Sequence, residues 1–375
     1  YGIFFVFGCR AKRNVHAQTQ SHIVAGFVRA INVRSNSGFG NFAAGRAADI
    51  GTRTEVFRRF RFIMNAWEND IGVDGNLGAV EFAQTGRIVE NRGGIGGFCG
   101  GGRYARVALV SLHPWEEPCL AGEKGAGTVF FTGCNMRCAF CQNHEISRED
   151  FGIKVTEERL AEIFLEQEAR GAATLDLVTP THFAPQIAMA LRLARERGLT
   201  IPVVYNSSAY DAVDTIESMT GLVDIFLPDL KYIDEETALR CSAAPGYFRR
   251  ASAAIRRMRE IAGLPAFDED GRMKRGVLVR HLVLPGHRKE SMCILDWLWQ
   301  NFSDTIYISI MNQYTPMGDL AKVPELKRRL TTFEYESVVD HARSLGIENC
   351  YIQQGGTVSA SFVPHFDGRG VEKIE

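Results

Sequence analysis

A chain of 375 residues is long enough to bury a large core and to hold two domains. Apolar content of 45%, charged content of 23% and a formal net charge of −1 describe an ordinary globular protein, with no electrostatic case for a nucleic-acid or membrane partner. No apolar run nears the roughly 20 residues of a membrane helix, and nine cysteines without regular pairing fit a reducing, cytoplasmic compartment better than a disulfide scaffold.

Residues 1–104 differ from everything after them. They carry 13 Lys+Arg against 7 Asp+Glu, whereas the remainder carries 30 against 37. Twelve of those basic residues are arginine, the first proline is Pro114, and glycines cluster at Gly93–Gly97 and Gly100–Gly102. No helical or strand period runs through this leader. The expectation is a poorly structured or spurious extension, such as upstream sequence translated in an unproductive frame; a small Arg/Gly-rich accessory domain is the rival.

From Arg106 the pattern becomes regular. Val107–Leu112 reads as a strand, followed by a polar loop bracketed by Pro114 and Pro118. Thr128–Thr132 is a second apolar strand, broken by Gly133. Further strands are predicted at Leu175–Thr179, Pro202–Tyr205, Val223–Leu227, Val277–Leu284, Thr305–Ile310 and Cys350–Gln353. Helices are predicted between them, among them one capped by Thr156, one over Pro185–Arg197 closed by Gly198, and one over Phe333–Leu345 closed by Gly346. Such alternation argues for a parallel sheet with crossover helices, open or barrel-like.

The loop after the second strand holds Cys134, Cys138 and Cys141 in the spacing C-x3-C-x2-C. Thiolates gathered this closely suit a soft metal centre. A cubane iron–sulfur cluster normally takes four cysteines, so three would leave one iron open to a small molecule. His144 follows at another two-residue gap, so a closed zinc site with three thiolates and one imidazole is the alternative.

In parallel barrels the working residues lie at the carboxyl ends of strands. Here those ends carry His182, Asn206, Ser207, Asp229, Lys231, His281, Asn312, Gln313 and Gln353. Each has a bland reading. His182 and His281 suit hydrogen-bonded core histidines, Asn206 and Ser207 suit helix caps, and Asp229 with Lys231 suits a simple ion pair. The arginines of 249–259 read as a solvated helix face, and Cys241, Cys293 and Cys350 as buried thiols.

The cysteine loop, with Phe140 just before its last cysteine, closely resembles that of the radical S-adenosylmethionine (radical SAM) enzymes. Other blocks resemble the pyruvate formate-lyase-activating-enzyme-like branch: His113-Pro114-Trp115-Glu116-Glu117-Pro118-Cys119, Val178-Thr179-Pro180-Thr181-His182, Val204-Tyr205-Asn206, Leu227-Pro228-Asp229-Leu230-Lys231-Tyr232, Arg280 through Gly286, and Met311-Asn312-Gln313-Tyr314. Together they span about 270 of the 375 residues. The resemblance implies a partial (β/α)6 barrel over residues 105–375. It implies a [4Fe-4S] cluster on Cys134, Cys138 and Cys141, with S-adenosylmethionine on the open iron. Phe140, Asn206, Ser207 and Asp229 become candidates for contacts to that cofactor, and Lys231, His182 and His281 for substrate or proton handling. A glycyl radical enzyme or other protein substrate, and an electron donor such as flavodoxin or ferredoxin, are the implied partners. A small molecule, a nucleotide or another peptide is the alternative substrate, and a zinc-stabilised α/β binding module is the alternative outside enzymes. One departure stands out: activases usually carry a Gly-Gly-Glu type motif where this chain has Val178-Thr179-Pro180-Thr181-His182.

Overall fold

The computed structural model describes residues 102–149, 151–353 and 364–372, together with the backbone of residues 4–6. The expectations for the leader, including Cys9 and Cys99, otherwise fall outside the described residues, as does Gln354. Among the described residues eleven strands form one mixed sheet: β1 (Phe4–Val6), β2 (Ala105–His113), β3 (Ala126–Phe131), β4 (Ile153–Val155), β5 (Leu175–Val178), β6 (Val203–Ser207), β7 (Ile225–Pro228), β8 (Ala266–Phe267), β9 (Met273–Leu282), β10 (Tyr307–Met311) and β11 (Cys350–Gln353). The strands β3-β5-β6-β7-β9-β10-β11 run parallel in that order. Six of them are the expected (β/α)6 unit; β11 adds a seventh. β2 and β4 extend one edge antiparallel, and β1 does so at the other.

The buried residues show how the sheet curls. Alternate side chains on a strand point to opposite faces. Val203, Tyr205, Phe226, Val277, Val279, Ile308, Ile310 and Ile352 share the large core under the helices. Their neighbours Val204, Ile225, Leu227, Leu278 and Tyr351 form a second core with Cys119 and Leu120. Cys119 lies between β2 and β3, and Tyr351 lies on β11 beyond five intervening strands, so this inner core closes the floor of a partial barrel.

The helices form where the sequence offers caps. Thr156 accepts from the Arg159 backbone N–H and starts the helix Glu157–Ala169; Thr331 and Glu334 make a full capping box before Thr332–Ser344. Asn206 and Ser207 cap nothing. β6 runs two residues past its predicted end through both, and the next helix, Val213–Glu217, has Ala212 at its N-cap. No helix among the described residues is long and apolar enough to cross a membrane.

Candidate active site at the barrel mouth

The cysteine loop leaves β3 through Gly133, whose φ of +88° a side chain would resist. Its backbone then docks on the C-terminal end of the helix Glu235–Ser242. Arg137 N–H donates to Ser242 O at 2.9 Å and Ala139 N–H to Cys241 O at 2.8 Å. A helix end leaves its last carbonyls without partners, so the loop and the helix satisfy one another. Asn135 Nδ2 donates to Tyr210 O at 2.6 Å, and Arg137 folds back onto Cys134 O at 2.6 Å. Phe140 packs edge-on against Tyr314, with ring centroids 5.7 Å apart.

Cys134, Cys138 and Cys141 are free thiols. Burial pushes Cys134 up to about 12, and Cys138 and Cys141 add to that rise, so the three sulfurs lie within electrostatic reach of one another. Burial also raises Cys138, but Lys231 opposes it and Ser242 Oγ donates to its Sγ at 3.0 Å. Cys134 Sγ accepts from Met136 N–H at 3.4 Å, and Cys141 Sγ lies 3.5 Å from Ser147 Oγ. Iron would supply the positive charge such buried thiols need to ionise. Among the described residues no three Cys, His, Asp or Glu side chains stand close enough to share a single ion, and His144 is exposed on the first turn of the helix His144–Arg148. Three thiols without a fourth protein ligand suit a cluster with one open iron better than a closed zinc cage, which needs four ligands.

A polar network fills the inner face next to the loop. Asp229 Oδ2 is 2.6 Å from Lys231 Nζ, and Asp229 Oδ1 accepts from Arg280 Nε at 2.8 Å. Arg280 Nη2 donates to Asn206 Oδ1 at 2.6 Å, and Asn206 Nδ2 donates to Asp176 Oδ2 at 3.3 Å. Arg280 Nη1 also faces Glu116 Oε2 at 3.6 Å and Glu117 Oε2 at 4.0 Å. Burial opposes the charges on Asp229, Lys231 and Arg280, but mutual pairing outweighs it, and all three are held ionised. Burial wins at the outlying carboxyls: Glu116 is pushed up to about 7, Glu117 to about 8 and Asp176 to about 7.

The structure thus gathers Asn206, Asp229 and Lys231 beside the cysteine loop and separates three other residues from them. Ser207 points to the opposite face from Asn206; its hydroxyl donates to Asp211 Oδ2 at 2.7 Å and accepts from Ala209 N–H. His281 alternates with inward Arg280, and its Nδ1 is 2.8 Å from Leu230 O. His182 lies in the turn Thr181–Phe183 with Nε2 2.6 Å from Thr132 O. Burial pulls His182 down to about 4 and also lowers His281, so both rings are neutral hydrogen-bonding struts. Arg280, Asp176 and the pair Glu116–Glu117 carry the site's charge and were not among the expected site residues. The signal was present, since a charge inside the apolar runs Val277–Leu284 and Leu175–Val178 needs a partner. Ser242 has no such signal.

The radical SAM superfamily model matches residues 128–295. An uncharacterized protein of Methanocaldococcus jannaschii, MJ0674, is 30% identical over 255 residues, which cover 64% of this chain and 68% of that protein. Residues 128–295 of this chain therefore carry a radical SAM superfamily domain. It is also similar to the pyruvate formate-lyase-activating enzyme of Clostridium pasteurianum, 26% identical over 149 residues, or 37% of this chain and 60% of that enzyme. Among solved structures, Streptococcus suis SuiB bound to S-adenosylmethionine aligns with a TM-score of 0.40 at 12% identity, covering 58% of this chain and 47% of that one. Methylornithine synthase aligns at 0.37 with 15% identity, covering 56% and 59%. The chain spans about half the length of these solved structures.

Proposed function

We propose that this chain uses Cys134, Cys138 and Cys141 to hold a [4Fe-4S] cluster that binds S-adenosylmethionine, and that it removes hydrogen from an organic substrate. The observation that carries this reading is three mutually interacting thiols on one loop, with the Lys231 ammonium close enough to Cys138 to favour its thiolate. When bound, the cluster and S-adenosylmethionine would supply one electron to the sulfonium and a 5′-deoxyadenosyl radical. The chain's own part is to bind, orient and keep water out. Asn206, Asp229 and Arg280 present a rigid polar wall to the bound nucleoside or methionine. Lys231 keeps positive charge at the thiolates, and Phe140 with Tyr314 gives an apolar surface for the adenine. His182 and His281 act as positioning residues that brace Thr132, at the foot of the cysteine loop, and Leu230, between Asp229 and Lys231.

Similarity to the Clostridium pasteurianum enzyme supports an activase-like lineage, with a glycine in a protein partner as the hydrogen donor and a flavodoxin or ferredoxin as the electron source. The carboxylates lining the inner face favour a second reading, a substrate that places a charged nitrogen inside the barrel. Anaerobic reconstitution tests the shared core. Four irons and four sulfides per chain, an EPR signal on reduction and S-adenosylmethionine-dependent 5′-deoxyadenosine are expected. A colourless, zinc-loaded protein that makes none would refute it.

A further inference from the structure

The inner face holds four carboxylates, Glu116, Glu117, Asp176 and Asp229, against two cations, Arg280 and Lys231. Asp229 occupies both cations at hydrogen-bonding distance. Arg280 spends Nε on Asp229 and Nη2 on Asn206, and its Nη1 reaches Glu116 and Glu117 only at 3.6 and 4.0 Å, too far for hydrogen bonds. No nitrogen or hydroxyl donor consequently reaches Glu116 Oε2, Glu117 Oε2 or Asp176 Oδ1, and the two glutamate carboxyls have only one another. Ser309 supplies an independent sign. It pairs with Arg280 in the β9–β10 register, faces the same interior, is fully buried, and its hydroxyl also lacks a partner. Glu117 and Asp176 are 4% and 0% exposed, so bulk solvent does not hydrate them.

These atoms are short of N–H donors, and a donor that carries positive charge would also hold the carboxyls in their ionised form. A metal ion is the wrong shape, because no three of the carboxylates converge on one point. We infer that Glu116, Glu117 and Asp176 form a recognition shelf, beneath the mouth, for a cationic nitrogen group of the substrate, an alkylammonium or a guanidinium. The group belongs to a small amine or to a lysine or arginine side chain of a peptide. The inference rests on the radical SAM reading for the chemistry, but the shelf itself is built from chain atoms alone. The three carboxyls hold protons near neutrality when the shelf is empty, so a bound cation displaces them.

Titration calorimetry on the full chain tests this, using n-butylamine, methylguanidine and n-butanol, with and without the cluster and saturating S-adenosylmethionine. Two buffers of different ionisation heat report proton release. Both cations are expected to bind and release protons while butanol gives no signal. Glu117→Gln and Asp176→Asn, each near-isosteric, are expected to weaken binding about tenfold, the loss of one charge-assisted contact. A lysine tripeptide binding more tightly than butylamine marks a peptide source; the reverse order marks a small amine. Cations binding no better than butanol, variants binding like wild type, or complete displacement by S-adenosylmethionine each overturn the shelf. Failure to assemble a cluster sinks the radical reading instead, since the apo protein still reports on amine binding.

Discussion

Ser242 Oγ donates a hydrogen bond to Cys138 Sγ at 3.0 Å, across 104 residues of sequence. The Tyr232 hydroxyl lies 2.6 Å from the same Ser242 oxygen. Because the serine proton goes to sulfur, Tyr232 is the donor to serine, and burial keeps its phenol protonated. Hydrogen bonds to cluster sulfurs favour the more reduced, more negative state. Ser242→Ala is therefore expected to bind iron normally and to show a midpoint potential lower by about 60 mV, if the bond differs by about 1.4 kcal/mol between redox states. An EPR-monitored redox titration measures it, with Ser242→Thr as the rescue. An unchanged potential in a fully loaded variant would remove the tuning role.

Cys138 accepts from Ser242 Oγ and feels the charge of the Lys231 ammonium. Cys138→Ala is expected to lose the cluster and all 5′-deoxyadenosine formation while its far-ultraviolet dichroism stays like that of wild type. The cysteine is on a loop, partly exposed and held by backbone bonds from its neighbours Arg137 and Ala139, so deleting the thiol spares the core. Iron retention at the wild-type ratio would reject Cys138 as a ligand.

The acidic shelf gives a pH dependence whose sign is fixed. Glu117 is raised by burial to about 8 from an ordinary 4.5, so the folded chain holds its proton where the unfolded chain has released it. Stability from this group falls as pH rises from about 4.5 to 8 and levels off above that. Relative to Glu117→Gln, wild type is expected to lose up to about 5 kcal/mol across that window, at 1.36 kcal/mol per pKa unit. Urea midpoints of the two proteins at pH 5 and pH 8 supply the comparison. A difference that does not change with pH contradicts the burial of an ionisable Glu117.

Thr179 holds a φ of +60° at the end of β5, with its N–H donated to Asn206 O at 2.9 Å. A β-branched residue there carries strain of about 1–3 kcal/mol. This is where activases usually place a glycine motif, and the backbone still takes a glycine-like path although the sequence does not. Thr179→Gly is expected to gain about 1 kcal/mol after the entropy of glycine is subtracted, read as a rise of a few degrees in melting temperature. A lower melting temperature would show that the threonine side chain repays its strain.

Much of this protein was legible along the chain. The strand and helix alternation announced the parallel sheet, Thr156 announced its cap, and the cysteine spacing announced three thiols on one loop. Those signals are local, written by caps, periods and short spacings. The choice among strand-end residues was not. Arg280 and His281 are adjacent, and only the β9–β10 register and the curl of the sheet put the arginine inside and the histidine outside. The same parity separates Asn206 from Ser207.

The sequence alone determined that three thiols share a loop after an apolar strand, because their spacing is a property of consecutive residues. Tertiary structure alone decided what surrounds them. Ser242 reaches Cys138, and Glu116 and Glu117 reach Arg280, only once the helix ends and the β2–β3 connection pack against the barrel. A strand presents each side chain to one face or the other, so pairing register and sheet curvature, which depend on the whole fold, choose the partners.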